Sequence, residues 1–176
     1  HINIPLRESL YGVVEKPSQS VKVVERVTTP SHLPNDKLEA LTQELSKASK
    51  VMILAGQYLP TPELSDALIQ WTKLPQVAVM TEAHSNVADE TFVTTIDRLI
   101  MGFTEEQKAF FLPEIVITFG HNLISRKIKE YLRKGECQHW HIDLSGEGLD
   151  TIKHLNKIIA LLPEDFFAAV HPKPNS

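Results

Sequence analysis

The residue types best suited to chemistry fall together at Ser125, Arg126 and Lys127. Ser125 is a helix-capping residue, and an amphipathic pattern runs from it to Lys134, so both cations are expected in the first turn of a helix. There they oppose the helix dipole, at a cost of about 0.3–1 kcal/mol each. A cationic first turn beside free backbone N–H groups is a ready site for a carboxylate or phosphate. The same residues also read as a solvated basic pair, on a helix that continues with Lys129, Arg133 and Lys134. Spacing alone leaves both readings standing.

The other reactive side chains form no set. His139 and His141 alternate around Trp140 along an expected strand, so their rings should share one face. No neighbour completes a metal-ligand spacing, and a structural role is expected for both. Cys137 has no histidine partner at a recognisable distance and is expected to be a buried, inert thiol. Glu82 and Asp97 are possible acids with nothing to pair them into a dyad. Glu82 is expected to hold its loop to Asn86 or to cap the next helix. Neither G-x-G-x-x-G nor G-x-x-x-x-G-K-[ST] occurs. No catalytic, cofactor-binding or metal-binding residue is therefore assigned.

Apolar runs that alternate with helical patterns must position these residues. Strands are expected at 21–27, 51–55, 76–80, 114–119, 137–143 and 155–162. Helices are expected at 35–49 with Asn35 as N-cap, from Thr61 with Pro62 in the first turn, at 91–103, 105–111, 125–134 and 163–170. Strands that are apolar throughout belong to a parallel sheet covered on both faces. The expected fold is α/β: a three-layer, doubly wound, Rossmann-like domain with about six parallel strands. Ligands in such folds bind beyond the carboxyl ends of the strands. That edge would carry Gly56-Gln57, the loop from Glu82 to Asn86, the loop from Gly120 to Ser125, and the turn from Asp143 to Gly146. Gly56 and Gly120 either allow a close backbone approach or simply end their strands.

Composition narrows the function classes. The chain has 176 residues, 42% of them apolar, and a formal charge of −4 from eighteen basic and twenty-two acidic residues. No basic stripe is available for nucleic acid. The longest apolar runs fall far short of the roughly 20 residues a membrane span needs. A single cysteine suits a reducing cytosol, and no charged-then-apolar leader is visible, so a cytoplasmic setting is expected. Residues 1–19 read as the end of a preceding domain and a linker, 20–170 as one α/β domain, and 171–176, with two prolines, as a second linker. The chain opens on His1 and reads as an internal piece of a longer protein.

Four segments carry a resemblance. His1 to Tyr11, with Arg7-Glu8 and Leu10-Tyr11, resembles the segment that closes the first domain of thiamine diphosphate-dependent enzymes. Val51 to Gly56 resembles that family's V-[IV]-[IL]-x-G strand. Glu82 to Asn86 with Asp97 resembles its E-x-x-S-N … D loop and helix. Pro113 to Gly120 with Ser125-Arg126-Lys127 resembles its P-D-x-[IV]-[IV]-x-[FL]-G … S-K stretch. The variant with Arg7-Glu8 and Leu10-Tyr11 resembles the menaquinone-pathway branch, the 2-succinyl-5-enolpyruvyl-6-hydroxy-3-cyclohexene-1-carboxylate synthases, of which the chain would be the middle domain.

That resemblance implies a three-domain homodimeric or homotetrameric transferase, which decarboxylates 2-oxoglutarate and adds the succinyl unit to isochorismate. It implies that thiamine diphosphate and Mg²⁺ are held by the first and third domains, with no cofactor bound in this segment, which would be inactive alone. The family's basic pair facing the substrate carboxylates falls on Arg126 and Lys127, with Ser125 before them. The family's usual order puts lysine first, so Arg126 is a departure that keeps the charge. Two alternatives remain: an FAD-binding middle domain of the acetohydroxyacid synthase type, and a purely structural spacer.

Overall fold

A computed structural model of the protein describes residues 25–28 and 32–175. The whole expected 1–19 segment, His1 to Tyr11 included, and the start of the first expected strand lie outside the described residues. Six strands form one sheet: β1 (Glu25–Thr28), β2 (Val51–Ala55), β3 (Val77–Thr81), β4 (Ile115–Phe119), β5 (Gln138–Ile142) and β6 (Leu155–Ala160). Their spatial order is β1-β6-β5-β4-β2-β3, and every pairing is parallel. The chain leaves β2 toward β3, then crosses back to β4 on the other flank of β2. The winding therefore reverses between β2 and β4.

The central strands show why their sequences lack alternation. All five residues of β2 and all five of β4 are buried. Successive side chains still point to opposite faces. Val51, Ile53, Ile115, Ile117 and Phe119 join one apolar cluster, with Leu41 and Leu45 of α1 (Asn35–Lys47), Leu64, Leu68 and Trp71 of α2 (Pro62–Thr72), and Phe166 and Phe167 of α6 (Pro163–Ala169). Met52, Leu54 and Val116 join the opposite cluster, with Ile96 and Ile100 of α3 (Ile96–Gly102) and Ile128, Tyr131 and Leu132 of α5 (Arg126–Arg133). Full burial of each such aliphatic side chain stabilises by about 1.5–3 kcal/mol. A polar residue on either face of β2 would put an unpaired group into one of these layers.

Local signals set most helix starts. Thr61 accepts the Leu64 N–H with its side chain, and Pro62 follows where no N–H is needed. The short helix α4 (Glu105–Phe110) opens on a reciprocal capping box between Thr104 and Gln107. Tyr131 donates its hydroxyl proton to the Lys108 carbonyl at 2.7 Å, tying α5 to α4.

Two expectations need correction. The N-cap of α1 is Pro34, whose carbonyl accepts from the Lys37 and Leu38 N–H groups, and Asn35 is already inside the first turn. Proline's fixed extended backbone (φ −55°, ψ 147°) starts the helix without a side-chain acceptor. The helix expected over 91–103 begins only at Ile96. Val93 instead bridges to β3, donating to the Val79 carbonyl and accepting from the Thr81 N–H. Its β-branched neighbours favour that extended backbone. At the far end, residues up to 175 are hydrogen-bonded to the domain: the Gln76 side chain donates to the Lys173 carbonyl and the Asn175 side chain to the Ala48 carbonyl.

Candidate functional site

Where the winding reverses, the ends of β2 and β4 are laced together by backbone. Gly56 N–H donates to the Phe119 carbonyl at 2.9 Å, and His121 N–H donates to the Gln57 carbonyl at 2.8 Å. A Cβ on Gly56 would lie 2.8 Å from the His121 oxygen, and one on Gly120 would lie 2.7 Å from the Gln57 oxygen. Gly120 also has φ +77°, where residues with a Cβ are disfavoured. Both glycines sit at strand carboxyl ends, as expected. What comes close to them is the other strand's backbone.

Beyond Gly120 the chain runs irregularly to Ser125 and then enters α5. Ser125 caps that helix, its hydroxyl accepting from the Ile128 N–H at 3.1 Å and donating to the Asp97 carboxylate on α3. Glu82, the residue after β3, accepts from both the Ile124 and the Ser125 N–H groups. Glu82 was expected to hold its loop to Asn86 or to cap the next helix; it does precede the 3₁₀ turn Ala83–Ser85 as N-cap, but its side chain makes no cap bond there, so the role of the carboxylate is a correction. The Asn86 side chain donates to the Tyr58 carbonyl instead. The reason is spatial: β3 and β4 flank β2, which brings the carboxyl end of β3 to the loop after β4.

Arg126 and Lys127 are both exposed. The Arg126 guanidinium donates to Glu130 one turn along at 2.6 Å, and the side chain remains 86% exposed. Lys127 lines a groove of about 520 Å³ with Ile100, Met101, Lys108 and Tyr131. Ser125 lines a separate hollow of about 380 Å³ with Glu82, His84, Thr95 and Asp97. The three candidate residues thus share one helix start and do not converge on one cavity.

A larger cleft of about 810 Å³ lies over the carboxyl ends of β4 to β6, lined in part by Thr118, His139, His141, Asp143 and Glu147. Its floor was missed from sequence. Thr118 Oγ1 lies 2.7 Å from both His139 Nε2 and His141 Nδ1, so the two rings do share a face, bridged by one hydroxyl from the neighbouring strand. Burial, reinforced by His139, pushes the His141 pKa down from 6.5 to about 4. Its imidazole is neutral near pH 7. The signal available from sequence was the His-x-His alternation; the partner at Thr118 needed the register. Cys137, expected to be buried, is only partly covered. Its place just before β5 leaves it at the strand's exposed entry. Among the described residues no three His, Cys, Asp or Glu side chains are grouped to hold a metal ion. Nor is any helix there long and apolar enough to cross a membrane.

Residues 22–176 match the family model described as "Middle domain of thiamine pyrophosphate". Curated relatives named 2-succinyl-5-enolpyruvyl-6-hydroxy-3-cyclohexene-1-carboxylate synthase are similar to the chain. The one from Flavobacterium psychrophilum is 37% identical, over 100% of this chain and 32% of its own length. The one from Porphyromonas gingivalis is 34% identical over 86% and 26% respectively, and that of Flavobacterium johnsoniae 32% identical over 98% and 31%. The chain spans about a third of the length of these relatives.

Proposed function

The chain belongs to the middle-domain family of thiamine pyrophosphate enzymes, and from that premise we propose that it is the middle domain of a synthase that decarboxylates 2-oxoglutarate and adds the succinyl unit to isochorismate in menaquinone biosynthesis. The observation that carries this reading is similarity along the whole chain to proteins of that name. The full-length protein would be a cytoplasmic homodimer or homotetramer whose first and third domains flank this one.

The described residues do not fit the cofactor. A Mg²⁺-bound diphosphate needs grouped oxygen ligands and compensating cations. No such ligand group is present among them, and the described residues lining the cleft over β4 to β6 include Asp143 and Glu147 but neither lysine nor arginine. In this reading thiamine diphosphate and Mg²⁺ are held by the outer domains. The same acidic lining speaks against the flavin alternative, whose diphosphate Asp143 and Glu147 would repel.

What this domain contributes is charge at a fixed position. Both substrates are anionic, a dicarboxylate and a ring bearing two carboxylates, so their site needs several cations. Arg126 and Lys127 present two of them from the first turn of a helix at the carboxyl edge of the sheet. Glu82 is engaged on backbone N–H groups and Asp97 on the Ser125 hydroxyl; Arg126 carries an exposed pair with Glu130, which a substrate carboxylate would replace or share. The cations bind and orient a carboxylate; Ser125, as cap, sets where their helix starts. Arg126→Ala or Lys127→Ala in the full-length enzyme should lower kcat/KM for one substrate by about ten- to a hundredfold, on the order of 1.4–2.7 kcal/mol. Cofactor affinity should not change. Wild-type kcat/KM for both substrates in both variants would instead make the domain a spacer with a solvated basic pair.

A further inference from the structure

The segment between Gly120 and α5 is held at its start, where His121 N–H donates to the Gln57 carbonyl, Gln57 N–H to the Asn122 carbonyl, and the Lys129 ammonium to the Leu123 carbonyl; its last two residues depend on other contacts. Leu123 is buried, but the Ile124 side chain is 68% exposed. The Ile124 and Ser125 N–H groups bond to no strand or helix; they bond to Glu82, at 2.8 Å from Ile124 to Oε2 and 2.5 Å from Ser125 to Oε1. One carboxylate thus takes both, one oxygen each. Two charge-assisted bonds of this kind are about twice as strong as neutral ones. The base of the clamp is rigid, because Thr81 before Glu82 is buried in β3 and the Glu82 side chain is only 9% exposed. His84 braces it: its Nε2 lies 3.1 Å from Glu82 Oε2 and 3.0 Å from the Asn122 carbonyl. Asp97 adds a third hold through the Ser125 hydroxyl.

A carboxylate beside a cationic helix start could simply neutralise it, and this one does not. Arg126 pairs with Glu130, and the bonds of Glu82 go to backbone. The first turn of α5 is therefore located by side chains from β3's end and from α3, while its own cations stay outward. We propose that Glu82 is a positioning residue: its two-pronged hold on the Ile124 and Ser125 N–H groups fixes where α5 begins, and so where Arg126 and Lys127 point. The inference rests on the reading of Arg126 and Lys127 as substrate-carboxylate contacts.

The test is Glu82→Gln in the full-length enzyme. Glutamine keeps the shape but can accept only through its oxygen, and its amide group must face one of the two N–H donors. Hydrogen exchange of residues 124 and 125 should quicken at least tenfold, with β4 unchanged. KM for one of the two substrates should rise about tenfold with kcat within twofold, and thiamine diphosphate affinity should hold. In an Arg126→Ala/Lys127→Ala background, Glu82→Gln should add nothing further to KM. If Glu82→Gln does not fold, Glu82→Asp, which keeps the charge but cannot span both donors, should show the same pattern at smaller amplitude.

An unchanged KM alongside faster exchange, with Arg126→Ala and Lys127→Ala still impaired, would overturn the positioning role and leave the proposed function intact. An equal loss in the Arg126→Ala/Lys127→Ala background would overturn it too, since Glu82 would then act on the fold at large. If Arg126→Ala and Lys127→Ala themselves keep wild-type kcat/KM, the site reading fails, and the positioning role falls with it.

Discussion

Replacing Gly120 by alanine should be among the most damaging single-methyl additions the chain can receive. Gly120 holds φ +77°. A residue with a Cβ there costs about 1–2 kcal/mol. The new Cβ would lie 2.7 Å from the Gln57 carbonyl oxygen and 3.2 Å from the backbone carbons of Gln57 and Gly56. These are backbone atoms at the end of a buried strand, so they cannot swing aside. Relief requires moving Gln57, whose oxygen accepts from the His121 N–H at 2.8 Å. Leaving such a pair unmade costs a further 1–3 kcal/mol or so. The total is about 2–5 kcal/mol. For a chain of this size about 2–4 °C of Tm accompanies each kcal/mol, so Tm should fall by roughly 4–20 °C. Gly102→Ala is the control: nothing lies within 4 Å of its Cβ, at the last position of α3, and the change should be neutral or stabilising by up to about 1 kcal/mol. Urea denaturation of both variants decides the matter. A Gly120→Ala protein within about 1 kcal/mol of wild type would refute the close approach of β2 and β4 as the reason for glycine there.

Acid should weaken the fold through His141. With its folded pKa near 4 and an unfolded value of 6.5, the unfolded chain binds the proton first as pH falls. Stability should therefore drop between about pH 6.5 and pH 4, by on the order of 3 kcal/mol. His141→Gln should remove that part of the pH dependence in denaturation series; an unaltered slope would count against it. Trp71 donates its indole N–H to the buried Phe167 carbonyl at 3.0 Å, joining α2 to α6. Trp71→Phe should lose about 1–3 kcal/mol by urea denaturation, because that carbonyl is left without its donor. Thr104→Ala should cost about 1 kcal/mol by removing the acceptor half of the capping box on α4, read as a loss of Tm. Calorimetric titration of the chain with thiamine diphosphate and Mg²⁺ should give no heat, and micromolar binding would mean the cofactor site is misplaced.

Sequence by itself determined whatever acts over a few residues. The all-apolar runs at β2 and β4 are legible because a strand buried on both faces has no polar alternation to show. Thr61 with Pro62, and Ser125 ahead of Arg126, are legible because a cap works within one turn. The Asn35 cap failed on the same scale, because Pro34 before it supplies the helix start. The long helix expected over 91–103 failed for a different reason: Val93 has a better partner in the edge of β3 than in its own neighbours. Only the tertiary structure decided the rest. Strand order follows from crossovers, and nothing in local spacing says that β4 returns to the far side of β2. Glu82 reaches Ile124 and Ser125 across more than forty residues of chain because of that return. Thr118 meets both histidines because the parallel register sets it opposite His141, with His139 two residues away on the same face. Gly56 and Gly120 are glycines because two strand ends, sixty-odd residues apart in sequence, lie too close for a methyl group. Short-range physics writes itself into residue spacing, as at the helix start Ser125 to Lys127; close approach between distant segments, such as the hold of Glu82 on that start, does not.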